Sequence, residues 1–241
     1  MRTVSSVGAN MTSENISGSE WRIGVGADQT TAILDRAPSG NSTAVFVCAH
    51  GAGGHMRDRG ITQIAEVYHS LDVDVVRFNF LYREKKQRRP DPMTLLTDCI
   101  TAVVARTREE IRPRRLLIGG RSMGGRAASM LAADGFACDG LVLLAYPLHP
   151  PGRPEQLRDA HLPAIKVPVL CFNGTRDTFC RRDLMESVLQ NVNSNWEMHW
   201  IDGADHGFHV SKSSGRSDAD VLREIRSVSE AWLARASQSG N

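Results

Sequence analysis

Short apolar runs alternate along this chain with longer segments whose apolar positions recur every three or four residues. Six runs read as strands: Ala44–Ala49, Val73–Phe78, Leu116–Gly119, Leu141–Ala145, Val169–Asn173 and Glu197–Ile201. Most are rich in valine, leucine and isoleucine, as strands covered on both faces are. The stretch Arg22–Leu34 is predicted to add an N-terminal hairpin. Between the runs, Met93–Ile111 sets Leu96, Cys99, Ile100, Val103 and Thr107 on one helical face, and Asp220–Ala236 does the same with Val221, Leu222, Ile225, Val228 and Trp232. Further helices are predicted over Asp58–Ser70, Met123–Ala133 and Arg181–Asn191. Strands that alternate with helices imply right-handed crossovers and a mostly parallel sheet with helices on both faces, a three-layer α/β architecture.

The rest of the chain refines that picture. Residues 1–20 are rich in serine, glycine and asparagine and read as a disordered tail; residues 237–241 read as a flexible end, leaving 21–236 as one α/β domain. The chain carries 29 Lys+Arg against 27 Asp+Glu, a net charge of +2. That balance speaks against a polyelectrolyte binder, and nucleic acid is not an expected partner. No apolar run approaches the roughly 18 residues of a membrane span, so no membrane is expected either. The first residues lack the apolar stretch of about 7–15 residues that marks a secretory signal. The five cysteines are odd in number and form no C-x-x-C pair, which predicts free thiols in a reducing cytoplasm. No Cys/His cluster suits a metal, and neither metal nor organic cofactor is expected.

The chemistry concentrates in three loops and one turn. The run Gly119-Gly120-Arg121-Ser122-Met123-Gly124-Gly125 follows an apolar strand and precedes a helix-forming segment, the context of a G-x-S-x-G nucleophile elbow. A serine on so sharp a turn leaves no room for side chains two residues away on either side, and Gly120 and Gly124 stand there. The Met123 amide then opens a helix and faces the place where an oxyanion would form. A nucleophilic serine needs a base, and the base an orienting acid; in this context they follow in the order serine, acid, histidine. Asp177 falls after the strand VLCFN and His206 after the strand EMHWI, both at strand-end loops. His209 is the rival base, and Asp202 and Asp205 read as loop-shaping carboxylates. The loop His50-Gly51-Ala52-Gly53-Gly54 is an HGxGG variant placed to supply a second oxyanion donor, the Ala52 amide or, as the near alternative, that of Gly53.

Two further segments stand out. Tyr146–Pro168 holds six prolines and should form a long ordered loop over the carboxyl edge of the sheet. The basic run Arg83–Arg89 reads as a loop at the same edge. With Arg121, Arg88, Arg89 and Arg153 as candidate substrate-binding cations, these segments suggest a small acyl substrate bearing a remote anionic group.

The stretches AHGAGG, FNF with the basic loop and RPDP, GGRSMGGRAA, YPLHPPGRPEQLR…HLP, NGTRD and GADHGF resemble the α/β-hydrolase superfamily near its dienelactone-hydrolase-like members. The narrower likeness is to the small family that includes testis-expressed hydrolase-like proteins and a regulatory subunit of the NSL histone-acetyltransferase complex. The resemblance implies the α/β-hydrolase fold, with Ser122, Asp177 and His206 as a triad cleaving an ester, thioester or related acyl bond. It departs from that pattern at Phe179-Cys180, after the acid, where a glycine is expected. Some relatives serve as scaffolds, so the alternative is a catalytically weak interaction protein with a protein partner; a full Ser-Asp-His set argues against it.

Overall fold

The computed structural model describes residues 19–192 and 195–238. The strands are β1 (Ser19–Val25), β2 (Asp28–Asp35), β3 (Ala44–Ala49), β4 (Asp74–Phe78), β5 (Arg115–Arg121), β6 (Gly140–Leu144), β7 (Val169–Gly174) and β8 (Trp196–Ile201). The helices are α1 (Arg59–His69), α2 (Leu81–Glu84), α3 (Met93–Ile111), α4 (Met123–Ala133), α5 (Arg182–Leu189) and α6 (Asp218–Gln238). The strands join one eight-stranded sheet in the order β1-β2-β4-β3-β5-β6-β7-β8. β1 and β2 pair antiparallel, as β2 does with β4, and every other neighbouring pair is parallel.

The continuous apolar runs follow from this arrangement. Successive strand side chains point to opposite faces. In β3, Val45, Val47 and Ala49 join one core cluster while Phe46 and Cys48 join the other; in β6, Leu141 and Leu143 oppose Val142 and Leu144. The first cluster packs under Leu96, Ile100 and Val103 of α3, Ala127 and Ala128 of α4, and Met185 of α5. The second packs under Ile61, Ile64 and Ala65 of α1 and Val221, Ile225 and Trp232 of α6. Both faces need apolar residues, so the strands lose the alternation of a half-exposed sheet.

Several boundaries differ from the sequence reading. β1 begins at Ser19, inside the expected tail of 1–20, because Ser19 and Glu20 pair with Leu34 and Ile33. The rest of that tail, residues 1–18, lies outside the described residues. α6 runs to Gln238, past the expected domain end at 236, and residues 239–241 lie outside. The basic run 83–89 is not wholly a loop. Its first residues belong to α2, a short helix formed because Leu81 and Tyr82 are buried. The proline-rich segment contains only a 3₁₀ turn at Leu162–Ala164 and is pinned by buried Tyr146, Leu148 and Leu162.

Candidate active site

The carboxyl ends of β3, β5, β7 and β8 deliver the chemistry-bearing loops to one edge of the sheet. At the end of β5 the chain turns sharply into α4, and Ser122 sits between them at φ 50°, ψ −114°. A non-glycine residue held there costs on the order of 1–3 kcal/mol, which surrounding bonds must offset. The Ser122 amide donates to Leu144 O at 2.8 Å, and its carbonyl accepts from Arg126 N at 2.9 Å. The flanking glycines are required by contact: a Cβ on Gly120 would stand 2.1 Å from Ala49 O, and one on Gly124 would stand 2.6 Å from His50 O.

From this turn a hydrogen-bonded line runs inward. Ser122 Oγ lies 3.0 Å from His206 Nε2, and His206 Nδ1 lies 2.9 Å from Asp177 Oδ2 and 3.0 Å from Oδ1. The bonded Nδ1 donates to a carboxylate, which leaves Nε2 as the acceptor facing the hydroxyl. Asp177 is fully buried and accepts two more bonds, from Asn173 Nδ2 at 3.1 Å and from Phe179 N at 2.8 Å. Three donors thus fix the carboxylate plane from three directions.

The loop after β3 closes the other side. His50 is buried; its Nδ1 donates to Gly51 O at 2.8 Å and its Nε2 accepts from Phe80 N at 3.1 Å. Burial pushes its pKa down to about 4, so it works as a neutral brace between two loops. The two oxyanion candidates part here. Gly53 N already donates to Tyr82 Oη at 3.1 Å, whereas Ala52 N has no acceptor among the described residues. Met123 is the first residue of α4, where no intrahelical carbonyl is in reach of its amide. Between these groups lies a cavity of about 420 Å³ lined by the Gly51–Gly54 loop, Asp58, Ile61, Arg121, Ser122, Phe179 and His206.

The structure thus brings Ser122, His206, Asp177 and Ala52 together. It does not bring in Arg88, Arg89 or Arg153: Arg88 and Arg89 are exposed beyond α2, Arg153 is exposed in the proline-rich loop, and none lines this cavity. Arg121 does line it, yet its Nη2 donates to His206 O at 3.0 Å. His209 turns away and bonds Asp218 of α6 at 2.7 Å. Asp205 Oδ1 accepts from Gly207 N and His209 N, shaping the loop.

Three contacts here were not visible in the sequence. Tyr82 holds the Gly53 amide; Phe179 stacks on the His206 ring at a centroid separation of 4.3 Å; and His149 ties the proline-rich loop to the segment after Asp177, its amide donating to Phe179 O and its Nε2 accepting from Arg181 N. The one available signal was Phe179 itself, standing where the resemblance led to a glycine.

Comparison with known proteins bears on the fold. Residues 42–234 match the family described as Alpha/beta hydrolase domain. Among similar structures is an alpha-beta serine hydrolase homologue from Coxiella burnetii, with TM-score 0.71 and 20% identity, covering 90% of this chain and 97% of that one. A dienelactone hydrolase from Anabaena variabilis superposes with TM-score 0.70 at 18% identity, covering 91% and 98%. An esterase from Pyrococcus furiosus gives TM-score 0.74 at 17% identity, covering 95% and 97%.

Proposed function

The chain belongs to the Alpha/beta hydrolase domain family, and from that premise we propose that it is a serine hydrolase cleaving an ester, thioester or related acyl bond. The observation that carries the reading is the continuous line Ser122–His206–Asp177, with every link at 2.9–3.0 Å. Ser122 Oγ attacks the acyl carbon while His206 Nε2 takes its proton. Asp177 holds the tautomer and stabilises the imidazolium that forms. The Ala52 and Met123 amides receive the negative charge on the carbonyl oxygen. His206 then returns the proton to the departing alkoxide or thiolate, and a water activated by the same imidazole releases the acyl group from Ser122.

The stretches AHGAGG, GGRSMGGRAA and GADHGF support placing the chain beside the testis-expressed hydrolase-like proteins. Five free cysteines fit a cytoplasmic location. The cavity is lined by one half-buried guanidinium, whose Nη2 is bonded, and by the half-buried Asp58 carboxylate. A cavity of about 420 Å³ with that lining suits a compact acyl substrate. Turnover of short-chain aryl esters and thioesters tests the proposal. The wild-type protein hydrolyses at least one such substrate, and Ser122→Ala lowers kcat by about 10³-fold or more. Equal turnover by the two proteins contradicts it.

A further inference from the structure

The main chain of His206 is tethered at one point. Among the described residues its amide makes no hydrogen bond, and its carbonyl accepts only one, from Arg121 Nη2 at 3.0 Å. The neighbouring bonds of this loop skip His206: Asp205 N donates to His209 O, Phe208 N to Asp205 O, and Gly207 N to the Asp205 carboxylate. Arg121 itself is the last residue of β5 and the immediate neighbour of Ser122. One end of the elbow therefore presents the serine while the adjacent side chain holds the histidine that faces it.

The guanidinium reaches His206 through a space that a single glycine leaves. Gly60 is the second residue of α1, and a Cβ there would stand 2.4 Å from Arg121 Nη1 and 3.6 Å from its Cζ. The seat is largely enclosed. Burial lowers the Arg121 pKa, opposed by the charges of Asp205, Asp58 and Asp177. A recess lined by Gly60, Ile64, Leu144, Phe208 and Val221 adjoins it. The guanidinium spends one donor on this carbonyl, a role separate from the substrate contact expected from the sequence.

We propose that Arg121 is a positioning residue that fixes His206 through its main-chain carbonyl, and that Gly60 is glycine in order to leave room for that guanidinium. The inference rests on the hydrolase reading above. Displacing the histidine by a fraction of an ångström is costly because proton transfer needs Nε2 within hydrogen-bond reach of Oγ.

The test is a double-mutant cycle with an aryl ester. Arg121→Met removes the tether and keeps an apolar stem. Gly60→Ala leaves Arg121 intact and pushes aside only the flexible end of its side chain. Alanine also favours a helix over glycine, so the fold is not at risk from this change. Each single variant is expected to lose about ten- to a hundred-fold in kcat with KM within about two-fold of wild type, since misplacement of this kind can cost ~10²-fold. The double variant is expected to match Arg121→Met alone, because Gly60→Ala acts only through the guanidinium. Should Arg121→Met fail to fold, Gly60→Ala carries the test by itself: wild-type kcat in that variant overturns the proposal. Losses that multiply in the double variant, or that fall on KM alone, overturn it equally. Ser122→Ala separates the two layers. Turnover that survives Ser122→Ala sinks the hydrolase reading, whereas turnover lost only with Ser122 and kept in both other variants sinks the tether.

Discussion

Two imidazole–carboxylate pairs lie three residues apart in this molecule, and they differ in everything but chemistry. His206 bonds Asp177 at 2.9 Å with side-chain exposures of 23% and 0%; His209 bonds Asp218 at 2.7 Å with exposures of 66% and 40%. The shorter contact is the weaker candidate for function. Water competes for an exposed pair and screens it, so such a pair contributes about 0–1 kcal/mol. The buried pair has a third member, Ser122, at 3.0 Å, an aromatic ring stacked on the imidazole, and a carboxylate held by further donors. Burial and the third partner, not the ion-pair distance, separate a proton-transfer relay from a surface contact.

The most severe way to break this comparison is to remove each histidine in turn. His206→Ala is expected to lower kcat as much as Ser122→Ala, by about 10³-fold or more, because the relay acts as a unit. His209→Ala should stay within a few-fold of wild type and shift the thermal midpoint by no more than a few degrees. Steady-state rates on one ester check both, and a reversed order moves the base to His209.

A third histidine sharpens the contrast from the side of stability. His50 is buried and braced but touches no reacting atom, and its pKa is pushed from the usual 6.5 down to about 4. The unfolded chain therefore binds a proton that the folded chain refuses between those values. His50 favours folding above about pH 6.5, and that contribution is lost as pH falls towards 4. Thermal melts of wild type and His50→Gln at pH 7, 5.5 and 4.5 should show a difference that narrows with acid. A constant difference would show that the neutral brace is not what holds the loop.

A smaller loss than that of the relay residues is expected for Tyr82→Phe. It frees the Gly53 amide and loosens the loop that carries Ala52 without touching the relay. One neutral hydrogen bond contributes about 1 kcal/mol, so a loss of several-fold in kcat with little change in the melt is the expected result. A gain in kcat would mean that Gly53, once released, is the better oxyanion donor.

How far the sequence carried these conclusions can be seen residue by residue. α3 falls where periodicity placed it, α4 where a helix-forming segment follows the elbow, and β3 matches to the residue, because the apolar positions are the buried ones there. Strand ends shifted by one or two positions in either direction, since backbone pairing and not side-chain hydrophobicity sets them. α2 was missed: four residues carry too little period, and only the burial of Leu81 and Tyr82 under neighbouring elements makes them a helix. At the site, the glycines around Ser122 were legible because their reason is local and steric. Tyr82, Phe179 and the Arg121–His206 bond were not, since each joins segments distant in the chain and depends on where a side chain points.

The account stands on Ser122 Oγ being made nucleophilic by His206 and by no other imidazole. Mapping a fluorophosphonate adduct by peptide mass spectrometry, in wild type, His206→Ala and His209→Ala at equal probe and time, measures this directly. The account predicts an adduct on the Ser122 peptide in wild type and His209→Ala and almost none in His206→Ala. An adduct on another residue, or equal labelling of Ser122 without His206, would contradict it.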